Sequence, residues 1–154
     1  LSLITDAFSR KIMGYHLADH LKATGPIEAL KMALRNRIYP NRKLMHHSDK
    51  GIQYCSDNYI KILTDNNIEI SMTSKYDPYE NAIAERINGI LKYEFGLKAT
   101  IKSIELAQKM VKEAVDLYNN QRMHWSLDLK KPQEVHIQYN KQENKSYKRE
   151  RKVA

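Results

Sequence analysis

The amino-acid sequence predicts an α/β fold in which a mixed β-sheet is flanked by helices. Short apolar segments typical of strands alternate with longer segments whose apolar residues recur at helical spacing. Two strand candidates at the start of the chain are adjacent, which favours an antiparallel hairpin, whereas the later strands are separated by helices. With 154 residues and an apolar fraction of 42%, the chain has the size and composition of one globular domain.

The first elements are a hairpin and a helix. Residues 1–5 form a short apolar run, and residues 10–17 form a second extended candidate. Thr24 and Pro26 mark a helix start, because proline is tolerated in the first helical turn. We expect this helix to end before Pro40.

The middle of the chain is predicted to form a strand, a helix and a second strand. Residues 44–47 form a brief strand, and residues 68–72 form the next one. Between them, Ser56 and Asp57 begin a helix, since serine and aspartate favour helix N-termini. The side chains expected on its buried side are Tyr59, Ile60 and Leu63.

Two further helices complete the predicted fold. The first covers residues 80–95, and its apolar line of Ile83, Ile87 and Ile90 should pack on the sheet. The second begins after Ser103, a favourable N-cap residue. Its expected apolar stripe consists of Leu106, Met110, Ala114 and Tyr118.

The charge of the chain favours a polyanionic partner. There are 26 Lys and Arg residues against 18 Asp and Glu, which gives a net charge of +8 and a pI near 9.5. Nucleic acid is the first candidate, and an acidic membrane surface is the second. Half of the net charge lies in residues 141–154. We therefore divide the chain into a domain, 1–136, and a basic tail, 137–154, which is either a solvated extension or a phosphate-binding arm.

The number of cysteines and the hydropathy of the sequence indicate the cellular compartment of the protein. Cys55 is the single cysteine, so no disulfide can form within the chain, which favours a reducing compartment. The sequence contains no apolar run of the length that a membrane span needs, and its N-terminus lacks the pattern of a signal peptide. We therefore expect a cytoplasmic protein without a membrane partner.

Asp49 lies at the end of a predicted strand. It is followed by Gly51, a combination that is common in turns without any chemistry. However, ligands of α/β sheets bind beyond the carboxyl ends of strands, and Gln53 and Tyr54 are close enough in sequence to contact a polar ligand there. A carboxylate suits Mg²⁺, which commonly takes one or two protein carboxylates together with substrate phosphate. A metal site for phosphoryl transfer is one interpretation, and a plain turn is the other.

Glu85 lies on a polar line of its helix, opposite the apolar one. The members of that line are Asn81, Glu85, Asn88 and Lys92. A solvated helix face is the simplest explanation, since most charged helix residues are only solvated. Glu85 and Lys92 are two turns apart on the same face, so an acid and a base can address one ligand together.

Several blocks together resemble the bacterial insertion-sequence transposases of the Asp-Asp-Glu class that have a retroviral-integrase-like core, insertion-sequence family three. His47-Ser48-Asp49-Lys50-Gly51-Ile52-Gln53-Tyr54 matches that family's His-Ser-Asp-x-Gly-x-Gln-Tyr block, and 35 residues separate Asp49 from Glu85, as in these enzymes. The other matching segments are residues 5–10, 81–85, 91–94 and 118–132, the last containing Tyr118-Asn119, Arg122, His124, Leu127 and Pro132.

The resemblance implies a ribonuclease-H-like fold and a polynucleotidyl transferase that uses two Mg²⁺ or Mn²⁺ ions. Such an enzyme cuts DNA at transposon ends and joins the 3′-hydroxyl to target DNA, usually as a homo-oligomer, and is associated with the bacterial nucleoid when bound to DNA. It implies that Asp49 and Glu85 are catalytic metal ligands and that Lys92 contacts a DNA phosphate. The further DNA contacts that it implies are Gln53, Tyr54, Asn81 and Asn88.

The family pattern also implies an incomplete site. Its first catalytic Asp lies on a strand upstream of the segment that matches residues 5–10, so Asp6 is expected to be a turn residue and the first strand to be absent from this chain. The chain alone is then expected to be inactive. The alternatives are a non-catalytic remnant that only binds DNA or oligomerises, and a nuclease for RNA–DNA hybrids. A sheet that lacks a strand exposes unpaired backbone groups, which predicts self-association.

Overall fold

The computed structural model describes residues 1–19, 24–38, 43–72 and 82–138. The elements are β1 (Ser2–Thr5), β2 (Ile12–His16), α1 (Thr24–Arg35), β3 (Leu44–Ser48), α2 (Asp57–Asp65), β4 (Ile68–Met72), α3 (Ala82–Tyr93) and α4 (Ile104–Asn120), followed by a 3₁₀ turn, Trp125–Leu127. Residues 132–138 form a final helical segment. Each predicted strand and helix is present, and the boundaries differ from the expected ones by a few residues.

The strands form two pairs of different orientation. β1 and β2 are antiparallel, with Ser2 opposite His16 and a bulge between Ile4 and Thr5. β3 and β4 are parallel, with Leu44 opposite Ile68. The predicted α/β class with mixed strand directions is thus confirmed, but within the described residues the two pairs remain separate two-stranded sheets.

A cleft of about 810 Å³ separates the two sheets. Both β1 and β3 contribute residues to its walls, and α1 and α3 contribute others. The apolar members of this lining include Ile4, Leu30, Leu44, Met45, Leu63, Ile68 and Ile83. Two strand edges and apolar side chains therefore surround one common space.

Close packing of α1 on β2 depends on a glycine. A Cβ atom at Gly14 would lie 2.1 Å from the Ala29 carbonyl oxygen and 2.7 Å from the Ala33 amide nitrogen. Only a residue without a side chain allows this approach of helix to strand. Ala29 is completely buried as a result.

The core has two clusters. One joins Ile12 of β2 to Ile87 and Leu91 of α3 and to Val115 and Tyr118 of α4. The other consists of Leu30, Tyr59, Leu63 and Ile68, which belong to α1, α2 and β4. The expected burial of Ile87, Ile90, Tyr59 and Leu63 is therefore confirmed.

The predicted stripe of α4 is partly wrong. Ala114 and Tyr118 are buried as expected, whereas Leu106 is 47% exposed. Val111 and Val115 take the buried positions instead. The reason is that Leu106 lies about 140° around the helix from Val111, whereas Ile104 and Ala107 in the same first turns are on the core side and are half-buried.

The edge of β2 is covered by a side chain of α4. The Asn119 amide accepts a hydrogen bond from the Ile12 N–H at 2.9 Å and donates one to the Ile12 carbonyl at 3.0 Å. Tyr118 adds a hydrogen bond from its hydroxyl to the Arg10 carbonyl at 3.0 Å. These bonds satisfy strand groups that would otherwise be unpaired. No helix in the described part of the chain combines the length and apolar character needed to cross a membrane.

Candidate active site at the end of strand β3

Asp49 follows the last residue of β3 and begins a tight turn. One carboxylate oxygen, Oδ1, accepts a hydrogen bond from the Gly51 N–H at 2.9 Å. A Cβ atom at Gly51 would lie 2.9 Å from that oxygen and 3.0 Å from Nε2 of Gln53. Gly51 therefore allows the carboxylate and the Gln53 amide to approach the same backbone segment.

Gln53 and Tyr54 lie close to Asp49. Burial raises the pKa of the Tyr54 phenol, the Asp49 charge raises it further, and a hydrogen bond with Gln53 opposes the change. The Tyr54 ring meets Tyr59 edge-on, with 5.5 Å between the ring centroids. Tyr59 is fully buried, so this contact fixes one wall of the site to the core.

Glu85 and Lys92 lie on α3, in its first and last turns. Both side chains belong to exposed residues. In the described part of the chain the Glu85 carboxylate has no hydrogen-bond or salt-bridge partner, so it is available to a ligand.

The cleft brings β3 and α3 to a common space. Asp49 lines it together with Ala84 and Asn88, which flank Glu85 on α3. Asn88 is half-buried and donates from Nδ2 to the Ala84 carbonyl at 3.0 Å. Asn81, the remaining predicted DNA contact, lies outside the described residues.

The donor set suits a hard divalent cation only in part. Carboxylate oxygens at Asp49 and Glu85 are the ligand type that Mg²⁺ and Mn²⁺ prefer. Nevertheless, no three His, Cys, Asp or Glu side chains come together as a potential metal site in the ranges that the structure describes. Asp49 lines the cleft, whereas Glu85 is not among the described residues that line it, so of these two carboxylates the structure brings Asp49 alone to the cleft wall.

Asp6 lines the same cleft as Asp49 but belongs to a separate hydrogen-bonded cluster. Its carboxylate accepts hydrogen bonds from the Ser9 hydroxyl and the Ser9 N–H, and its Oδ2 lies 3.1 Å from Nδ1 of His136. The same His136 nitrogen is 3.2 Å from the Ser9 oxygen. Ser9 is completely buried, so its hydroxyl cannot reach a substrate, and the cluster ties residues 132–138 to the β1–β2 turn.

Sequence reasoning missed this cluster and a second one near the end of α3. Arg122 forms two hydrogen bonds of 2.7 Å with the Glu94 carboxylate. Next to it, His124 is buried and packs edge-on against Tyr118. Burial, followed by the charges of Arg122 and Arg86, lowers the pKa of His124 to about 4. Glu94, Arg122 and His124 lie in segments that carry the family resemblance, but the ion pair of Arg122 with Glu94 spans 28 residues and no local pattern joins them.

Comparisons with known proteins place the chain in a family. An integrase core domain model matches residues 1–78, and a second model of the same description matches residues 66–132. A transposase for the insertion sequence element IS904 from Lactococcus lactis is 32% identical over 135 residues, which are 87% of this chain and 53% of the relative. A transposase for IS629 from Shigella sonnei is 33% identical over 139 residues, 90% of this chain and 46% of the relative. The chain spans about half the length of the curated relatives that it matches.

Solved structures with the same fold are retroviral integrase cores. The catalytic core domain of HTLV-2 integrase in complex with magnesium has a TM-score of 0.65 at 18% identity, with 86% of this chain and 80% of that chain covered. The core domain of BIV integrase has a TM-score of 0.67 at 15% identity, with 91% and 86% covered. The ribonuclease-H-like fold expected from the motifs is thereby confirmed, and the chain belongs to the integrase core domain family.

Proposed function

We propose that this chain is the catalytic-core portion of a bacterial insertion-sequence transposase, which cleaves DNA and transfers a DNA strand with the help of Mg²⁺ or Mn²⁺. The observation that carries the proposal is the position of Asp49 at the carboxyl end of β3, beside the cleft that α3 also borders. The transposases among its relatives and the magnesium-bound integrase core of the same fold support this reading.

Asp49 and Glu85 are the proposed metal ligands. When bound, divalent ions at these carboxylates would activate the attacking oxygen and stabilise the leaving oxygen during displacement at phosphorus. The Gly51 N–H holds the Asp49 carboxylate in place by donating a hydrogen bond to it. Glu85 lies in the exposed first turn of α3. Because these are two carboxylates, the site also requires substrate phosphate and water, or a further carboxylate from outside the described residues.

The proposed DNA contacts surround these carboxylates. Lys92 binds a backbone phosphate, since it is exposed and lies two helical turns from Glu85. Gln53 and Tyr54 support the strand on the β3 side, and Asn88 and Asn81 support it from the α3 side. The basic tail, 137–154, supplies additional phosphate contacts, which agrees with the net charge of +8.

Metal binding gives a direct test of the proposed ligands. Electron paramagnetic resonance measures free Mn²⁺ while the purified chain is added in the presence of a short DNA duplex. Asp49→Asn and Glu85→Gln should each weaken Mn²⁺ binding by about tenfold or more, because each removes an anionic ligand.

Matched controls are available on exposed positions away from the cleft lining. Asp65→Asn and Glu69→Gln make the same chemical changes and should leave Mn²⁺ binding unaltered. If Asp49→Asn and Glu85→Gln bind Mn²⁺ as tightly as these controls do, the assignment of the metal ligands is wrong.

A non-catalytic DNA-binding remnant is the second candidate. It is favoured by the lack of any three-ligand metal group among the described side chains. This candidate predicts DNA binding that is unaffected by EDTA, together with no Mn²⁺ uptake. The catalytic proposal predicts instead that DNA and Mn²⁺ enhance each other's binding, because the substrate phosphate completes the metal site.

Location and assembly follow from the same proposal. A protein that acts on bacterial DNA works in the cytoplasm, associated with the nucleoid. We propose that it does so as a homo-oligomer, in agreement with the dimeric and trimeric forms described for the HTLV-2 integrase core.

A further inference from the structure

The fully buried Tyr59 lies behind the cleft wall that contains Asp49. It belongs to the first turn of α2 and is not among the described residues that line the cleft. A phenylalanine would fill the same space in the core, whereas tyrosine brings in a hydroxyl that needs a hydrogen-bond partner. The partner of this hydroxyl therefore shows what the tyrosine adds beyond packing.

The Tyr59 hydroxyl reaches strand β3. Its oxygen lies 3.1 Å from Nε2 of His46, and the centroids of the two rings are 5.6 Å apart. Burial, followed by the charge of His47, lowers the pKa of His46. At neutral pH the His46 ring is therefore neutral, with one nitrogen that donates and one that accepts. This hydrogen bond joins α2 to β3 three residues before Asp49.

The Tyr59 ring reaches the turn on the other side of Asp49. It meets the Tyr54 ring edge-on, with 5.5 Å between centroids and 76° between the ring planes. The Tyr54 N–H donates to the Gly51 carbonyl at 2.9 Å, and the Gly51 N–H donates to Oδ1 of Asp49 at 2.9 Å. One buried side chain thus contacts both the strand before the carboxylate and the turn after it.

The backbone at the start of α2 is joined to the same turn. The Tyr59 N–H donates to the Ser56 carbonyl at 2.9 Å, and the Ser56 hydroxyl donates to the Gln53 carbonyl at 3.0 Å. Short hydrogen-bonded links therefore connect Tyr59 to the segment that follows Asp49. A displacement of the Tyr59 ring must be transmitted to that segment.

We propose that Tyr59 is a positioning residue for Asp49, because its hydroxyl holds β3 and its ring holds the Gly51–Tyr54 turn so that the carboxylate stays at the cleft wall. Residues that support a metal ligand from behind strengthen metal binding without touching the metal. The proposal rests on the proposed function in taking Asp49 as a metal ligand. Its own content is the hydrogen bond between Tyr59 and His46.

Tyr59→Phe removes the hydroxyl alone, and Tyr118→Phe is the matched control. Tyr118 is also fully buried, and its hydroxyl donates to the Arg10 carbonyl at 3.0 Å, in the other core cluster. Amide hydrogen exchange of the full chain is followed by NMR in EDTA. In Tyr59→Phe the amides of Gly51 and Tyr54 should exchange at least about threefold faster, since one supporting hydrogen bond is lost. Tyr118→Phe should leave these two amides unchanged.

Mn²⁺ binding then tests positioning, with the paramagnetic resonance experiment described above. Tyr59→Phe should weaken Mn²⁺ binding about tenfold, and Tyr118→Phe should not. His46→Leu should weaken it to a similar extent, and the double variant no further, because both substitutions break one bond. His46→Gln should restore most of the affinity, since its amide offers both a donor and an acceptor to the Tyr59 hydroxyl.

Two results would overturn the proposal. One is that the Gly51 and Tyr54 amides exchange equally fast in Tyr59→Phe and Tyr118→Phe. The other is that Tyr59→Phe binds Mn²⁺ as tightly as the unmodified chain while Asp49→Asn does not. Failure of the proposed function has a different signature, namely Mn²⁺ binding that Asp49→Asn leaves unaltered. The exchange measurement needs no metal, so it still decides whether Tyr59 orders the turn in that case.

Discussion

At the scale of single residues, the Asp6 cluster predicts sensitivity to acid. Hydrogen bonds from His136 and Ser9 outweigh burial and lower the pKa of Asp6 to about 2. Because this value is below that of an unfolded aspartate, about 3.9, the group stabilises the fold above about pH 4, and this stability is lost as the pH falls towards 2. Asp6→Asn should lower the free energy of unfolding at pH 7 by about 1–2 kcal/mol.

Urea unfolding followed by circular dichroism at several pH values measures this effect. The Asp6→Asn variant should show a shallower loss of stability between pH 4 and 2 than the unmodified chain. Asp19→Asn, on an exposed residue, is the control. Equal stability of Asp6→Asn and Asp19→Asn at neutral pH would contradict the role assigned to the cluster.

His124 predicts a second acid transition at higher pH. Burial, followed by the nearby arginines, lowers its pKa to about 4, below the unfolded value of about 6.5. The unfolded chain therefore takes up this proton first, and stability should fall as the pH decreases from about 6.5 to 4. Nε2 of His124 is buried without a hydrogen-bond partner among the described residues.

His124→Phe tests this prediction because phenylalanine keeps the ring contact with Tyr118 and cannot be protonated. The variant should lose the decline between pH 6.5 and 4 and remain folded at neutral pH, since no hydrogen bond of Nε2 is sacrificed. The unfolding midpoint in urea is the measurement. A decline that persists in His124→Phe would assign the transition to another group.

The proposed role of Lys92 predicts how the affinity for duplex DNA depends on salt concentration. If it neutralises one DNA phosphate, Lys92→Ala should weaken duplex binding at all sequences and reduce the slope of log affinity against log salt by about one. Anisotropy of a labelled duplex over a range of salt concentrations gives this slope. Lys112→Ala should change the slope little, and an unchanged slope in Lys92→Ala would remove the phosphate contact.

The position of some of these residues could be predicted from the sequence, and the contacts of others could not. Asp49 was placed correctly at a strand end, because a short apolar run followed by Asp and Gly is a local signal. The partner of Asp6 was not predictable, since His136 is 130 residues away and no local pattern joins them. The same holds for Asn119 and Ile12, whose hydrogen bonds depend on the packing of α4 beside β2.

At the scale of elements, the contact between α1 and β2 predicts that one added methyl group at Gly14 strongly destabilises the fold. Gly14→Ala places a Cβ atom against the backbone of α1, so helix and strand must separate. Overpacking of this kind destabilises by about 1–3 kcal/mol. Chemical denaturation should show the loss as a lower midpoint.

Gly89→Ala is the matched control because nothing lies within 4 Å of the added atom and the residue is inside α3. It should stabilise the chain by about 0.5–1 kcal/mol, since alanine favours helix over glycine. If both substitutions had the same effect, the close approach at Gly14 would be refuted.

The positions of helices and strands were predictable from local patterns. Which helix residues are buried was less predictable. Ser103 was expected to cap α4, and its side chain accepts a hydrogen bond from Leu106 N–H. Leu106 itself was expected to be buried and is exposed. A stripe drawn at a constant spacing of four residues drifts by about 40° at each step around the helix, so it leaves the buried face at Leu106.

At the scale of the whole molecule, pairing between strands was the least predictable feature. The sequence favoured one mixed sheet, and the described residues form two pairs with a cleft between them. Each pair is local, joined by a turn or by one helix, and was predictable for that reason. Whether β1 meets β3 depends on what lies between them, which no pattern within either strand specifies.

The cleft therefore predicts self-association. Within the described residues β1 and β3 each have one strand neighbour, so one edge of each presents unpaired backbone groups, and such edges pair with other chains. Met45 on β3 lines the cleft and is 59% exposed. Light scattering of the purified chain should show oligomers that grow with concentration. Met45→Lys should reduce them, because a lysine on an edge strand opposes strand addition.

The control for a general effect of charge is Ile52→Lys. Ile52 is 89% exposed but lies in the turn after β3 rather than on a strand, so this variant gains the same charge without altering an edge. It should associate like the unmodified chain. Equal suppression by both lysines would show that net charge controls association, and a monomer at all concentrations would show that the two edges are covered within the molecule itself.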